Sequence, residues 1–172
     1  MRYGIFLTAF LFITISSCES SKAVDFRESI DQSERRAFEI ILGKEGSGEK
    51  KLKCLEKDDY KCALMALDQQ SIELDIVIAD INKLSTEDIT KAEPLKTASL
   101  EYYQSLKELH LFDRKEIEQQ ALLRTLKDDQ LKNAQNNLKA LAQQKKILYA
   151  TVYEKEAFLH TAAKDFETAN GF

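Results

Sequence analysis

The sequence contains one proline, five glycines and no tryptophan in 172 residues. So few chain breakers leave long uninterrupted stretches, and β-branched residues are too scattered to suggest a sheet. Only two histidines occur, His110 and His160, so a histidine-rich metal centre has little to build on. No strong excess of either charge is present: 25 basic residues face 29 acidic ones, for a formal charge of −4. A mildly acidic chain without a basic patch is a poor match for nucleic acid or for anionic lipid surfaces. No nucleic-acid partner is therefore expected, and attachment to a membrane requires some other device. What the chain does have is Leu, Ala, Lys, Glu and Gln, the composition of long helices.

The amino-terminal segment carries one positive charge in Met1-Arg2-Tyr3, followed by an apolar run from Gly4 to Ile15. That run is shorter than the ~20 residues a spanning helix needs, and it has the length of a secretory leader's apolar region. Ile15-Ser16-Ser17-Cys18 follows directly. The quartet resembles the lipobox of bacterial lipoproteins, in which an aliphatic residue and two small residues precede an obligatory cysteine. The resemblance covers this leader alone and names no family for the remainder of the chain. It implies that residues 1–17 are a signal peptide and that Cys18 becomes the lipid-bearing first residue. Glu19, rather than aspartate, then implies sorting to the outer membrane, with the chain facing the periplasm and cell-surface display as the alternative. Two or three acyl chains on one residue make attachment effectively permanent, whereas a single chain binds only marginally.

Residues 18–24 read as a lipidated tether and residues 25–172 as one all-α helical bundle domain of about four to five helices. Phe26, Ile30, Ala37, Ile40 and Ile41 share one helical side, and Gly43 to Gly48 interrupts the pattern with three glycines, a flexible loop. A short helix from about Lys50 to Lys57 leads to the turn Asp58-Asp59. From there Tyr60, Leu64, Leu67, Ser71, Leu74, Ile78 and Ile81 step by fours and threes, a central core helix. Ser85-Thr86-Glu87-Asp88 stops that helix and offers a cap. Another begins near Glu93, with Pro94 in its first turn, and Leu111-Phe112-Asp113 closes it. From Arg114 to Ala169 there is neither glycine nor proline. Ala134, Leu138, Leu141, Lys145, Leu148, Val152, Lys155, Leu159, Ala162 and Phe166 form a second seam there. Its phase is lost before Leu131, which predicts a long helix bent near Asp128-Asp129, or else two helices meeting at that point.

With Cys18 committed to lipid, Cys54 and Cys62 remain. Exported chains meet an oxidising compartment, and two remaining thiols there are expected to pair. Cys54 near the end of one helix and Cys62 near the start of the next suit a disulfide across a helical hairpin. A redox pair usually shows Cys-x-x-Cys, and this spacing differs.

No P-loop, dinucleotide fingerprint, Gly-x-Ser-x-Gly or His-Glu-x-x-His motif occurs, and no catalytic residues, cofactor or metal are expected. Glu156 and His160 would share a helical face, within which His110 or Asp113 would have to join them to hold a metal. The paired carboxylates Asp58-Asp59, Glu87-Asp88 and Asp128-Asp129 sit at turns, where helix capping accounts for them. Tyr102, Tyr103, Tyr149, Tyr153, Phe158 and Phe166 either complete the core or, in the case of Tyr149, Tyr153 and Phe158, form an exposed face for a protein partner. The resulting expectation is a non-enzymatic, lipid-anchored interaction protein docking on a component of the cell envelope or of a secretion system. The alternatives are a surface adhesion or exclusion factor, and a small-ligand or metal carrier.

Overall fold

The computed structural model describes the backbone of residues 6–172, and the side chains of residues 21–127 and 130–172. Met1-Arg2-Tyr3 and the side chain of Cys18 lie outside this description. Five helices occur among the described residues: α1 (Phe6–Leu42), α2 (Ser47–Glu56), α3 (Tyr60–Lys83), α4 (Ala92–Leu123) and α5 (Asp128–Asn170). The fold is all-α, as composition and periodicity predict, and among the described residues no helix is long and apolar enough to cross a membrane.

α3 packs against α1, α2 and α4, which makes it the central helix, while α5 packs along α4 as an antiparallel hairpin. The main core joins Phe26, Ile30 and Ile40 of α1 to Leu74, Val77 and Ile81 of α3, Leu95 and Tyr103 of α4, and Phe166 of α5. A smaller cluster of Cys54, Ala63, Leu67 and Ile117 closes the other end.

The segment read as a tether over residues 18–24 is helical instead, and Ala23 is buried in the main core. Ala23, Phe26 and Ile30 are spaced by three and four residues, so the small alanine begins the core-facing stripe rather than preceding it. The glycine segment is a tight turn, not a flexible loop. Gly43 to Gly46 turns the chain, and α2 has already begun at Ser47. A Cβ on Gly46 would lie 2.2 Å from the Glu39 carbonyl oxygen, and one on Gly48 would lie 2.2 Å from that of Ile41. Glycine is needed here for close backbone approach.

The Asp58-Asp59 turn behaves as read: Cys62 N–H donates to Asp59 Oδ1 at 3.0 Å, the N-cap bond of α3. Ser85 Oγ accepts from Glu87 N–H at 3.3 Å, but no helix follows, and α4 starts at Ala92 with Pro94 in its first turn. α4 does not close at Asp113. It continues to Leu123, and of the two readings, one bent helix or two helices meeting, the structure has the second, with the break across Arg124–Lys127. The shift of phase before Leu131 marks this real break.

Candidate functional site

The buried stripe of α3 runs through Ala63, Leu67, Gln70, Leu74, Val77 and Ile81. It is rotated slightly from the predicted seam, and it places Gln70, not Ser71, inside. On α2, Lys51 lies three residues before Cys54 and four before Leu55, so this lysine occupies the helix's inner face. Its residue exposure is 5 %, and that of Gln70 is 0 %. On α4, His110, Asp113 and Glu116 recur every three residues, and Lys145 comes across from the α5 seam. Five helices thus deliver their side chains to one groove of about 490 Å³. α4 forms its floor, the end of α1 with α2 forms one wall, and α5 forms the other.

The floor is an ion cluster. Lys51 Nζ pairs with Asp113 Oδ2 and donates to Gln70 Oε1 at 3.3 Å. Lys145 Nζ reaches Asp113 Oδ1 and Glu116 Oε2, each at 2.6 Å. His110 Nδ1 stands 4.0 Å from Asp113 Oδ2. Burial pushes the His110 imidazole down to about 4, and the like charges of Lys51 and Lys145 outweigh the attraction of Asp113, so the ring is neutral near pH 7. Burial alone would raise the Asp113 carboxyl, but Lys51 and Lys145 overcome it and hold the group below its ordinary range. Burial opposes the charge of Lys145 as well, and its bonds to Asp113 and Glu116 prevail and raise it.

Above the floor the walls are apolar. Leu42 (67 % exposed) and Leu52 (55 %) stand on one side, with Tyr149 (45 %) and Tyr153 (66 %) on the other. The predicted aromatic face therefore divides. Tyr149 and Tyr153, four residues apart, share the groove wall. Phe158 lies five residues beyond Tyr153, about 140° further around the helix, and lines a separate depression with Pro94 and Ala98. Lys155 Nζ sits 5.8 Å from the Phe158 ring centroid. Tyr103 and Phe166 belong to the core, at 3 % and 0 % exposure.

Cys54 and Cys62 form a disulfide across the α2–α3 hairpin, with Cα atoms 5.7 Å apart. Among the described residues no three His, Cys, Asp or Glu side chains come together as a metal-holding group. Glu156 lines the groove wall, whereas His160 is exposed and is not part of it. Sequence reasoning singled out Lys145 but missed Lys51 and Gln70. The usable signal for Lys51 was its position on the same α2 face as Cys54 and Leu55. No protein-family model matches the chain, and comparison with curated proteins and with solved structures returns no match.

Proposed function

We propose that this chain is a non-enzymatic docking protein of a bacterial cell envelope, held by acyl chains on Cys18 at the outer membrane and facing the periplasm. The anchor reading is supported by Ile15-Ser16-Ser17-Cys18 and by the short apolar run before it. The docking reading is carried by one observation: Leu42 and Leu52 face Tyr149 and Tyr153 across a groove, all four exposed, above an ion-paired floor. Exposed aromatic and leucine side chains around a concavity are the anchors protein interfaces favour. α1 leads from the anchor to this groove. From Lys22 to Ile41 its rise is about 29 Å, which holds the groove clear of the bilayer surface. Tethering to a surface raises the effective concentration for neighbouring membrane proteins, so modest intrinsic affinity suffices.

Two measurements test the proposal. Intact mass of the native product is expected to show a chain beginning at Cys18 and carrying acyl groups; a chain that retains residues 1–17 without lipid overturns the anchor. A photo-crosslinking side chain in place of Tyr153 is expected to give a discrete envelope-protein adduct in living cells, while the same group at exposed Met65 does not. Equal labelling from both positions overturns the groove as the docking surface. Protease shaving of intact cells distinguishes a periplasmic orientation, which protects the chain, from surface display.

A further inference from the structure

Gln70 has one half of its amide satisfied and the other half not. An ammonium group can only donate, so Lys51 Nζ, 3.3 Å from Oε1, fixes which way the amide faces. Nε2 is consequently turned the other way, where no acceptor meets it, although the residue is completely buried. Gln70 is among the residues that line the groove. A Cβ on Gly48 would approach Nε2 to 3.0 Å, so the glycine that lets α2 approach the end of α1 also keeps a side chain off the amide. Buried polar hydrogens without partners are rare in folded proteins, and one on a residue that lines a concavity can take its acceptor from an occupant. The floor has further donors to offer. Lys51 and Lys145 each carry three N–H bonds, and two on each are engaged by Gln70, Asp113 and Glu116.

We infer that the groove is a binding site for an uncharged acyl compound, whose carbonyl head accepts from Gln70 Nε2 and Lys51 and whose apolar body lies along Leu52, Leu55, Leu106 and Val152. The charge on the floor selects the head group. Lys51 and Lys145 are balanced by Asp113 and Glu116, so an ionised carboxylate would bring an uncompensated charge into a half-buried site, beside Glu156 on the wall. An ammonium head would set donors against donors. A neutral amide or ester carbonyl meets the free N–H groups without either penalty. A volume of about 490 Å³ is ordinary for a small-molecule site. The site lies beneath the lips assigned to protein docking but does not depend on that docking.

The test uses the purified full-length chain, labelled with nitrogen-15, and three probes with equal tails: decanamide, decanoate and decylammonium. The Gln70 side-chain amide signals are identified by their loss in Gln70→Glu, which keeps the shape and the bond from Lys51 while removing the donor. Decanamide is expected to move those signals and to bind at least about tenfold more tightly than either charged probe. Gln70→Glu is expected to weaken decanamide about tenfold with the backbone spectrum preserved, and Gln70→Leu serves if the glutamate disturbs the fold. The inference is overturned if the Gln70 signals stay fixed up to the solubility of decanamide, if decanoate binds as well, or if the substitutions leave decanamide affinity unchanged. Any of these results would leave the crosslinks from position 153 standing, so the two proposals fail separately.

Discussion

Asp113 of α4 joins two lysines that approach from opposite walls of the groove: its Oδ2 takes Lys51 of α2, and its Oδ1 takes Lys145 of α5 at 2.6 Å. α2 and α5 flank the groove, and this one carboxylate links them. Removing it leaves Lys51, with a side-chain exposure of 6 %, without its counter-ion. Asp113→Ala is expected to lower unfolding free energy by about 3–5 kcal/mol, because a buried charge stripped of its partner retains its full desolvation penalty. Paired Lys51→Met and Asp113→Leu is expected to restore most of that loss. Urea denaturation of the three proteins checks both, and a change within about 0.5 kcal/mol for Asp113→Ala would show the cluster to be energetically inert.

His110 makes stability depend on pH with a definite sign. Its proton is bound less readily in the fold, where the pKa falls to about 4, than in the unfolded chain, where it is 6.5. Above 6.5 neither state holds the proton and the residue contributes no pH dependence. As pH falls from 6.5 to 4, the unfolded chain takes up a proton that the fold refuses, and stability declines by about 1–3 kcal/mol. Asp113 acts in a lower window. Its folded value is depressed, so its stabilisation is present above its ordinary 3.8 and is lost as pH falls through the folded value. His110→Gln is therefore expected to flatten the urea midpoint between pH 6.5 and 4 and to leave the steeper acid limb in place. An unchanged profile in that variant would place the sensitivity elsewhere.

The helices were legible because burial repeats along them. All ten residues of the seam from Ala134 to Phe166 are buried or half-buried, including Lys145 and Lys155, whose ammonium groups reach Glu116 and Glu101. On α3 the apolar stripe is wide, so its periodicity gave the correct side without fixing its centre, and Gln70 was passed over for Ser71. The end of α4 was misplaced for a different reason. Asp113 resembles a terminating polar residue in a linear reading, but its carboxylate is consumed by lysines from α2 and α5. The direct pairings of the ion cluster join residues up to 62 positions apart, as between Lys51 and Asp113, and no local period reports such a pairing. Cys54 and Cys62 were legible because the turn between them is short enough for sequence spacing to stand in for distance.

That disulfide closes a loop with a sequence separation of 8, for which the loop-entropy relation gives about 2–3 kcal/mol. The double variant Cys54→Ser/Cys62→Ser is expected to keep its helical circular dichroism, to lose that margin of unfolding free energy in urea and to melt at a lower temperature. Ala63, Leu67 and Ile117 still pack at the hairpin base, so the helices have reason to remain. Alkylation under non-reducing conditions checks the premise: Cys54 and Cys62 should take up no label until the protein is reduced.

Two glycines with opposite surroundings give the sharpest test of the α1–α2 turn. At Gly48 an added Cβ would sit 2.2 Å from the Ile41 carbonyl oxygen, a backbone atom that cannot rotate away, and 3.0 Å from Gln70 Nε2. Gly171 has open space around it and is unusual only in its φ of +77°, which caps the end of α5. Gly48→Ala is expected to destabilise by about 1–3 kcal/mol or more, as overpacking against fixed backbone does. It should also disturb the Lys51–Gln70 bond, visible in the Gln70 side-chain amide signals. Gly171→Ala meets only the left-handed penalty of about 1 kcal/mol, at a terminus where fraying absorbs part of it. If both substitutions prove equally mild, the close approach of α2 to the end of α1 is looser than this geometry requires.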